Sequence, residues 1–226
     1  MRNVLIALGV LCILGAAGLT GYNILDSRRA EDASNRIVTA LSEQMNPETE
    51  LYDMQQDGVD DLSPESQYPE AYTVDPMLEQ QADQDMPVME LDGYAYIGLL
   101  IIPSLDLKLP VMDRWDEERL RISSCVYEGS YLSNDLVICA HNYIGMFSDV
   151  RWIDIGADVY ILTVDGDYLH YIVTNLENLA ATQVQDMTQN EHNSGISNKW
   201  DMTLFTCNTG GQTRRAIRCE RLPAET

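Results

Sequence analysis

The chain has 226 residues and is strongly acidic, with 14 lysines and arginines against 36 aspartates and glutamates and a formal net charge of -22 at pH 7. Such a chain repels phosphate backbones and anionic lipid headgroups, so its composition argues against a nucleic-acid-binding protein. The length allows one or two domains and is sufficient to bury a sizeable core.

The first predicted element is an apolar segment, residues 4–25, that contains no charged residue. It matches the ~20 residues that a helix needs to cross a bilayer. It also exceeds the roughly 7 to 15 apolar residues at the centre of a cleaved signal peptide. The sequence therefore favours a transmembrane signal-anchor over residues 1–27, with a cleaved signal peptide as the alternative. Arginines flank the segment on both sides, so their charge does not fix its orientation.

Two segments follow this anchor. Residues 28–45 carry apolar side chains at helical spacing up to Asn46-Pro47, which predicts a juxtamembrane helix. Residues 46–92 contain no lysine or arginine, and prolines interrupt any periodicity. This composition predicts an extended acidic linker that holds the following domain away from the membrane.

The pattern changes to short strands over residues 93–226. Runs rich in Val, Ile, Leu, Tyr and Thr alternate with turn residues, which is typical of an all-β sandwich or barrel. The segment "VDGDY" predicts a hairpin between two of these strands. A short helix is expected at "DEERLRI" and a helical turn at "MFSDVRW".

A cysteine at the end of a predicted strand is the first candidate for chemistry. Four of the five cysteines lie in the β domain, and their spacing fits no C-x-x-C zinc or redox pair. Disulfides are possible outside the cell but are not required by the spacing. Cys207 ends the run "MTLFTC" before a polar, glycine-rich turn, an arrangement that suits a nucleophile on a rigid element. The alternative is a structural cysteine buried in the core.

One of three histidines occupies a similar position. His141 ends the apolar run "LVICA" as Cys207 ends its own run, so the two side chains could meet at one mouth of a barrel. An imidazole beside a thiol gives a nucleophile that attacks an amide carbonyl and forms a thioester. His170, in an alternating strand, and His192, in a polar segment, are expected to be solvent-exposed.

The oxyanion formed in such a reaction needs a positive or hydrogen-bonding group. Strand alternation in "TRRAIRCERL" places Arg214 and Arg218 on one face and Arg215 on the other. The periodicity does not select which arginine faces the thiol. Most of these arginines are expected on a solvated strand face.

Four motifs together resemble the sortases of Gram-positive bacteria, which are cysteine transpeptidases. "TLFTC" resembles the family's T-L-x-T-C signature, and "VICAHN" resembles its strand-ending histidine motif. "RRAIRCERL" is similar to the final strand, and "IGLLIIPSLDLKLPV" is similar to the first two strands. The motifs occur in the family's order over about residues 94–222. The resemblance implies an eight-stranded β-barrel with short inserted helices.

The same resemblance implies roles for individual residues. Cys207 matches the nucleophile and His141 the acid/base. Arg214 matches the family's arginine, because the residues after it then fall on the valine and small-residue positions of that strand. Thr206 and Asn142, which adjoin the nucleophile and the histidine, match residues near the substrate.

The implied activity takes place outside the cytoplasm, on a domain anchored by a single membrane span. The enzyme would cleave an LPxTG-like sorting signal of surface proteins through a thioester and pass the acyl group to an amine of a peptidoglycan precursor or a pilin. No cofactor and no metal are expected, because only Asp186 and Glu191 offer carboxylates between residues 178 and 200. Three alternatives stay open: a thiol peptidase that releases free acid, a pilin-polymerising sortase, suggested by "DPM" at residues 75–77, and a non-catalytic stalked binding module.

Overall fold

The computed structural model describes residues 2–45, 85–190 and 200–223. In these ranges it contains two helices and nine strands. The helices are α1 (Arg2–Met45) and α2 (Val184–Thr188). The strands are β1 (Met89–Leu91), β2 (Tyr94–Ile102), β3 (Leu107–Met112), β4 (Ser124–Glu128), β5 (Leu136–Cys139), β6 (Asp158–Thr163), β7 (Tyr168–Ala180), β8 (Met202–Cys207) and β9 (Thr213–Arg221).

Eight of the strands form a closed barrel. Neighbouring strands follow the order β1-β2-β3-β4-β5-β8-β9-β7-β6, and β6 pairs back onto β2. The barrel thus consists of strands β2 to β9, and β1 is a short additional strand that pairs with one end of β2. A closed barrel satisfies the backbone groups that an open sheet leaves at its edges. The predicted eight-stranded all-β fold is confirmed.

The barrel wall is buried on both faces over much of its circumference. The inner face contributes Ile138, Leu204 and Ile217 to the main core. The outer face of the same strands contributes Val137 and Phe205 to a second cluster. Because both faces are covered, β5 and β8 read as continuous apolar runs rather than as alternating ones.

Helix α1 supplies part of the cover for the outer face. Its second half carries a buried stripe at helical spacing, formed by Ser27, Ala30, Ser34, Ile37 and Leu41. The last two pack into the outer cluster. The helix and the barrel are therefore in direct contact.

The first half of α1 is apolar and exposed, with Leu11, Ile13 and Leu14 each more than 60% exposed. By length and composition the helix could cross a membrane. The predicted anchor and juxtamembrane helix are parts of one continuous helix, because no proline or glycine interrupts the chain between Tyr22 and Met45.

Residues 46–84 of the predicted linker lie outside the described residues, so the linker stays a prediction over that range. Its last residues belong to the folded domain, since Met89–Leu91 pairs with β2 and Met86 packs against the core. Asp92 and Gly93 between the two strands have φ of 52° and 81°. This is a two-residue Asp-Gly hairpin turn, and it lies where the sequence suggested a domain boundary.

The smaller predicted elements are present in reduced form. The hairpin expected at "VDGDY" connects β6 to β7. The helix expected at "DEERLRI" is a single 3-10 turn, Arg119–Arg121, and the turn expected at "MFSDVRW" is a second one, Val150–Trp152.

Candidate active site

The ends of β5 and β8 bring the two candidate catalytic residues to the same edge of the barrel. These strands are parallel neighbours in which Cys139 pairs with Phe205. The Ala140 amide extends the ladder by donating to the Phe205 carbonyl at 3.4 Å. One residue further, His141 follows β5 and Cys207 is the last residue of β8. Both are half-buried, so each is held by the fold and retains access to solvent.

Thr206 connects the two strand ends. Its side chain is 1% exposed, and its hydroxyl donates to the carbonyl of Ala140 at 2.8 Å. This bond joins the residue before His141 to the residue before Cys207. Thr206 therefore holds the ends of β5 and β8 together through a buried hydrogen bond. The sequence resemblance implied a different place for it, near the substrate.

Arg214 lies directly across from Cys207. In the antiparallel pair of β8 and β9, Cys207 is the partner of Arg214 and Thr206 is the partner of Arg215. Directly opposed residues project from the same face of a sheet, so the guanidinium and the thiol share a face. One Nη of Arg214 donates to the Gly211 carbonyl at 2.8 Å. The register thereby resolves the choice between the two arginines that periodicity left open.

The other arginines of β9 have different partners. The Nε of Arg215 donates to the carbonyl of Arg151 at 3.2 Å, on the opposite face from Cys207. Arg221 donates to the Tyr131 carbonyl. Arg218 is 1% exposed, so the expectation of a solvated strand face is wrong for this residue. Alternation predicted its face correctly, but it did not reveal that the connection between β7 and β8 covers it.

A tight turn follows the nucleophile position. The Asn208 amide donates to the Thr213 carbonyl at 2.9 Å, and the Gly211 amide donates to the Asn208 carbonyl at 2.9 Å. Gly210 and Gly211 have φ of 89° and 72°, in the left-handed region that other residues rarely adopt. This turn explains why the sequence after Cys207 is rich in glycine.

The segment after β5 holds the imidazole. The ring of His141 stacks on the ring of Tyr143, with centroids 4.6 Å apart and an interplanar angle of 17°. The His141 carbonyl accepts from the Phe147 amide at 3.1 Å, so the backbone is fixed by the following loop. Asn142 lies between the two rings in sequence and is half-buried. Tyr143 was not singled out from the sequence, although an aromatic residue two positions after a histidine is a visible signal.

An aromatic wall leads toward the thiol on the same face. Trp115 stacks on Tyr127 with centroids 5.4 Å apart, and Tyr127 meets Phe205 edge to face at 5.1 Å. Phe205 precedes Cys207 by two residues and therefore projects from its side of β8. Trp115 is 43% exposed, so the outer end of the wall is open to a ligand. No local motif marks these residues, because three separate segments contribute them.

The remaining cysteines of the barrel are buried and protonated at neutral pH. Burial raises the pKa of Cys125 to about 12, and it raises the pKa of Cys139 and Cys219 well above the ordinary value. All three are free thiols. Cys207 is half-buried instead, and a nucleophilic thiol must be reachable.

His170 is not part of this site. Its ring interacts with an Asp158 carboxylate oxygen at 2.8 Å and stacks on Tyr160. It precedes Leu179, the β7 partner of Arg214, by nine residues, which is about 30 Å along a strand. His192 lies outside the described residues.

No metal centre is apparent in the described parts of the chain, where no group of three or more His, Cys, Asp or Glu side chains converges. The Asp186 carboxylate accepts from the Gln183 side-chain amide at 2.7 Å, and Glu191 lies outside the described residues. The arrangement at the barrel edge offers a thiol, an imidazole and a guanidinium, which is the chemistry of acyl transfer.

The chain is similar to sortases in its sequence and in its fold. Residues 100–222 match the family model described as the sortase domain. Among solved structures, sortase A from Corynebacterium diphtheriae is similar with a TM-score of 0.51 and 18% identity, over 58% of this chain and 63% of that one. Sortase C2 of Group B Streptococcus pilus island 1 is similar with a TM-score of 0.50 and 25% identity, over 59% of this chain and 77% of that one.

Sortase C1 of pilus island 1 of the same organism is 25% identical with a TM-score of 0.49, and the match covers 57% of this chain and 64% of that one. Two of these matches therefore span less than two thirds of the solved proteins. No curated protein matches the sequence.

Proposed function

Because this chain belongs to the sortase family, we propose that it is a membrane-anchored cysteine transpeptidase that cleaves an LPxTG-like sorting signal of surface proteins. The acyl group passes through a thioester on Cys207 to an amine of the cell wall. One observation carries this proposal: Cys207 and Arg214 are paired on one face, at the edge where β5 ends in front of His141.

The first half-reaction forms the thioester. The thiol of Cys207 gives its proton to His141, and its sulfur attacks the carbonyl carbon of the scissile Thr-Gly bond, so that a carbon–sulfur bond forms. Arg214 donates hydrogen bonds to the oxyanion or to the adjacent substrate carbonyl, on the face that it shares with the thiol. When the carbon–nitrogen bond breaks, His141 gives its proton to the leaving amine.

The second half-reaction consumes the thioester. An acceptor amine attacks the same carbon and gives a proton to His141, and the carbon–sulfur bond breaks to restore Cys207. One peptide bond is exchanged for another, so no oxidant, cofactor or net water is needed. If water replaces the amine the product is a free acid, and the protein is then a thiol peptidase.

Two further residues complete the proposal. Thr206 acts as a positioning residue, because its buried hydroxyl joins the strand ends that carry the histidine and the nucleophile. Asn142, beside His141, remains a proposed substrate contact. The exposed end of the aromatic wall, Trp115, gives the apolar residues of a sorting signal a surface to pack on.

The location of the enzyme is part of the proposal. The first half of α1 anchors it as a single membrane span, with the barrel outside the cytoplasm. Its protein partners are surface proteins that carry the signal, with a peptidoglycan precursor as acceptor. A pilin acceptor is the second possibility. The segment "DPM", which suggested a pilin-polymerising member, lies outside the described residues.

The proposal is tested with the full chain in detergent micelles, incubated with a panel of pentapeptide signals and a short amine. Intact-protein mass spectrometry should detect the peptide acyl group on Cys207, and chromatography should detect the amine-capped product. Free acid as the sole product would make the protein a thiol peptidase. Absence of any acyl adduct across the panel would favour the non-catalytic binding module.

A further inference from the structure

The loop between β5 and β6 presents exposed apolar side chains at the active-site edge of the barrel. Ile144, Trp152 and Ile155 are 64%, 76% and 62% exposed; we call these three residues the apolar loop surface. Side chains that alternate with them anchor the loop in the barrel core, namely Phe147, Val150 and Ile153. Because the loop is anchored in this way, the three exposed side chains are held outward.

The same loop packs directly against helix α1. Gly145 has a φ of 77°, and a Cβ at this position would lie 2.8 Å from Cγ of Glu31. The Glu31 side chain of the helix therefore lies against the loop at this position, and the left-handed backbone of Gly145 disfavours a larger residue. Glu31 follows Leu25, the last residue of the apolar segment, by six residues. At 1.5 Å per residue this is about 9 Å of helix.

From this contact we infer that the apolar loop surface rests in the interface of the bilayer that holds α1, on the extracytoplasmic side. The inference depends on the proposed membrane anchoring. A helix that leaves the hydrocarbon at Leu25 places Gly145 about 9 Å above it, at the outer edge of a polar interface that is about 5 to 8 Å deep on each side. Tryptophan is enriched at this depth, because its ring is apolar and its N–H still finds a polar partner.

The charges around the loop indicate what kind of lipid surface it fits. Arg28 and Arg29 are exposed on α1, and Arg151 lies beside Trp152 with its guanidinium 5.8 Å from the ring centroid. Five carboxylates accompany them: Asp149 and Asp154 on the loop, and Asp26, Glu31 and Asp32 on the helix. The surface therefore carries a small net negative charge and does not attract anionic lipids. It therefore recognises the interface by apolar area, and anionic lipids add nothing to its binding.

This contact determines which end of the barrel faces the membrane. The loop begins at His141, and Arg151 donates to the Thr209 hydroxyl at 3.2 Å in the turn after Cys207. The apolar loop surface thus holds the catalytic edge toward the bilayer. The thiol then lies close to the bilayer surface. A substrate protein that is itself anchored in the membrane can reach the thiol if its cleavage site lies just outside its membrane segment.

The test uses the full chain reconstituted in phosphatidylcholine vesicles whose acyl chains are brominated near the headgroup. Bromine quenches tryptophan fluorescence at short range, and the chain has three tryptophans. We expect strong quenching in the wild type and loss of most of it in Trp152→Phe. In the matched control, Trp200→Phe, the quenching persists, because this ring is covered by Arg218. Equal quenching in the wild type and Trp152→Phe overturns the inference.

Two further readings separate the possible failures. Extraction with alkaline carbonate reports on α1 alone, and release of the full chain from the vesicles overturns the anchoring together with the inference. A chain that resists extraction but shows no quenching through Trp152 overturns only the inference. Quenching that requires phosphatidylglycerol in the vesicles also overturns it, since the surface is then electrostatic.

Discussion

Arg218 lies between Glu177 and the ring of Trp200. Its Nη2 donates to a Glu177 carboxylate oxygen at 2.8 Å, and its guanidinium carbon lies 4.1 Å from the Trp200 ring centroid. The side chain also donates to the Met187 carbonyl and to the Thr203 hydroxyl. Burial lowers the pKa of this guanidinium, while the carboxylate opposes that shift. A single cation thus fixes the connection between β7 and β8 to the barrel.

We therefore expect Arg218→Met to lower the thermal stability of the barrel, because several carbonyl and hydroxyl groups lose their donor. Each buried acceptor that loses its donor in this way costs about 1 to 3 kcal/mol. Glu177 is a third exposed, so Glu177→Gln should cost less, roughly 1 kcal/mol after solvent screening. Thermal unfolding measures both variants. Equal stabilities of Arg218→Met and the wild type would mean that the network contributes nothing.

Replacing the nucleophile is expected to abolish turnover. Cys207→Ala removes the only half-buried thiol of the barrel, so neither the thioester nor a transfer product should form. Cys125→Ala and Cys139→Ala should keep most of the activity, because those thiols are buried and protonated. Acyl-enzyme mass spectrometry and product formation test all three variants. Full activity of Cys207→Ala would end the nucleophile assignment.

The guanidinium group of the arginine opposite the thiol should be required for activity, and a lysine should not replace it. Arg214→Ala and Arg214→Lys are both expected to lose at least about 10²-fold in kcat/KM, the scale of one oxyanion donor. Arg215→Ala serves as the matched control, since its Nε bonds to the Arg151 carbonyl on the opposite face. Steady-state transpeptidation is measured together with melting curves. A severe loss in Arg215→Ala with near-normal Arg214→Ala would reverse the two roles.

The hydroxyl of Thr206 is expected to support activity indirectly, by holding the ends of β5 and β8 in place. Thr206→Val keeps the shape of the side chain but leaves the buried Ala140 carbonyl without this donor, which should cost about 1 to 3 kcal/mol of stability. Activity at a temperature where the variant is still folded should also fall, and Thr206→Ser should restore both. If Thr206→Val melts like the wild type but loses activity, the hydroxyl contacts substrate instead.

The barrel should fold without α1 but with lower stability. The sequence predicted an independent domain beginning near Tyr94, whereas β1 and Met86 also belong to the folded unit. A chain beginning at Met86 uncovers the surface that Ile37 and Leu41 bury, and each such side chain stabilises by about 1.5 to 3 kcal/mol. Circular dichroism should show a β-rich protein with a lower melting temperature. An unfolded protein would make α1 an integral part of the barrel.

The barrel, and the placement of His141 and Cys207 at the ends of neighbouring strands, could be predicted from the sequence because both depend on local patterns. Strand runs that stop at His141 and Cys207 are visible in the chain, and alternation separates Arg214 from Arg215. What could not be predicted depends on segments distant in sequence. The burial of Arg218 needs α2 and Trp200 to cover it, and the aromatic wall needs three separate segments to meet.

The continuity of α1 was missed for another reason. Composition changes sharply after Leu25, from apolar to charged, and this change suggested two elements. Helix formation responds to glycine, proline and capping residues rather than to hydropathy, so the backbone continues through the change.

The hydrogen bond between Thr206 and Ala140 joins residues 66 positions apart in the chain, and this separation bears on when the candidate site forms during folding. Contacts of long sequence separation form late in folding, because the loop between them must close first. The β5 segment is synthesised before β8 and has no parallel partner until β8 is available to pair with it. The thiol, the imidazole and the guanidinium therefore assemble only as the barrel closes. A partly synthesised chain therefore lacks the assembled candidate site.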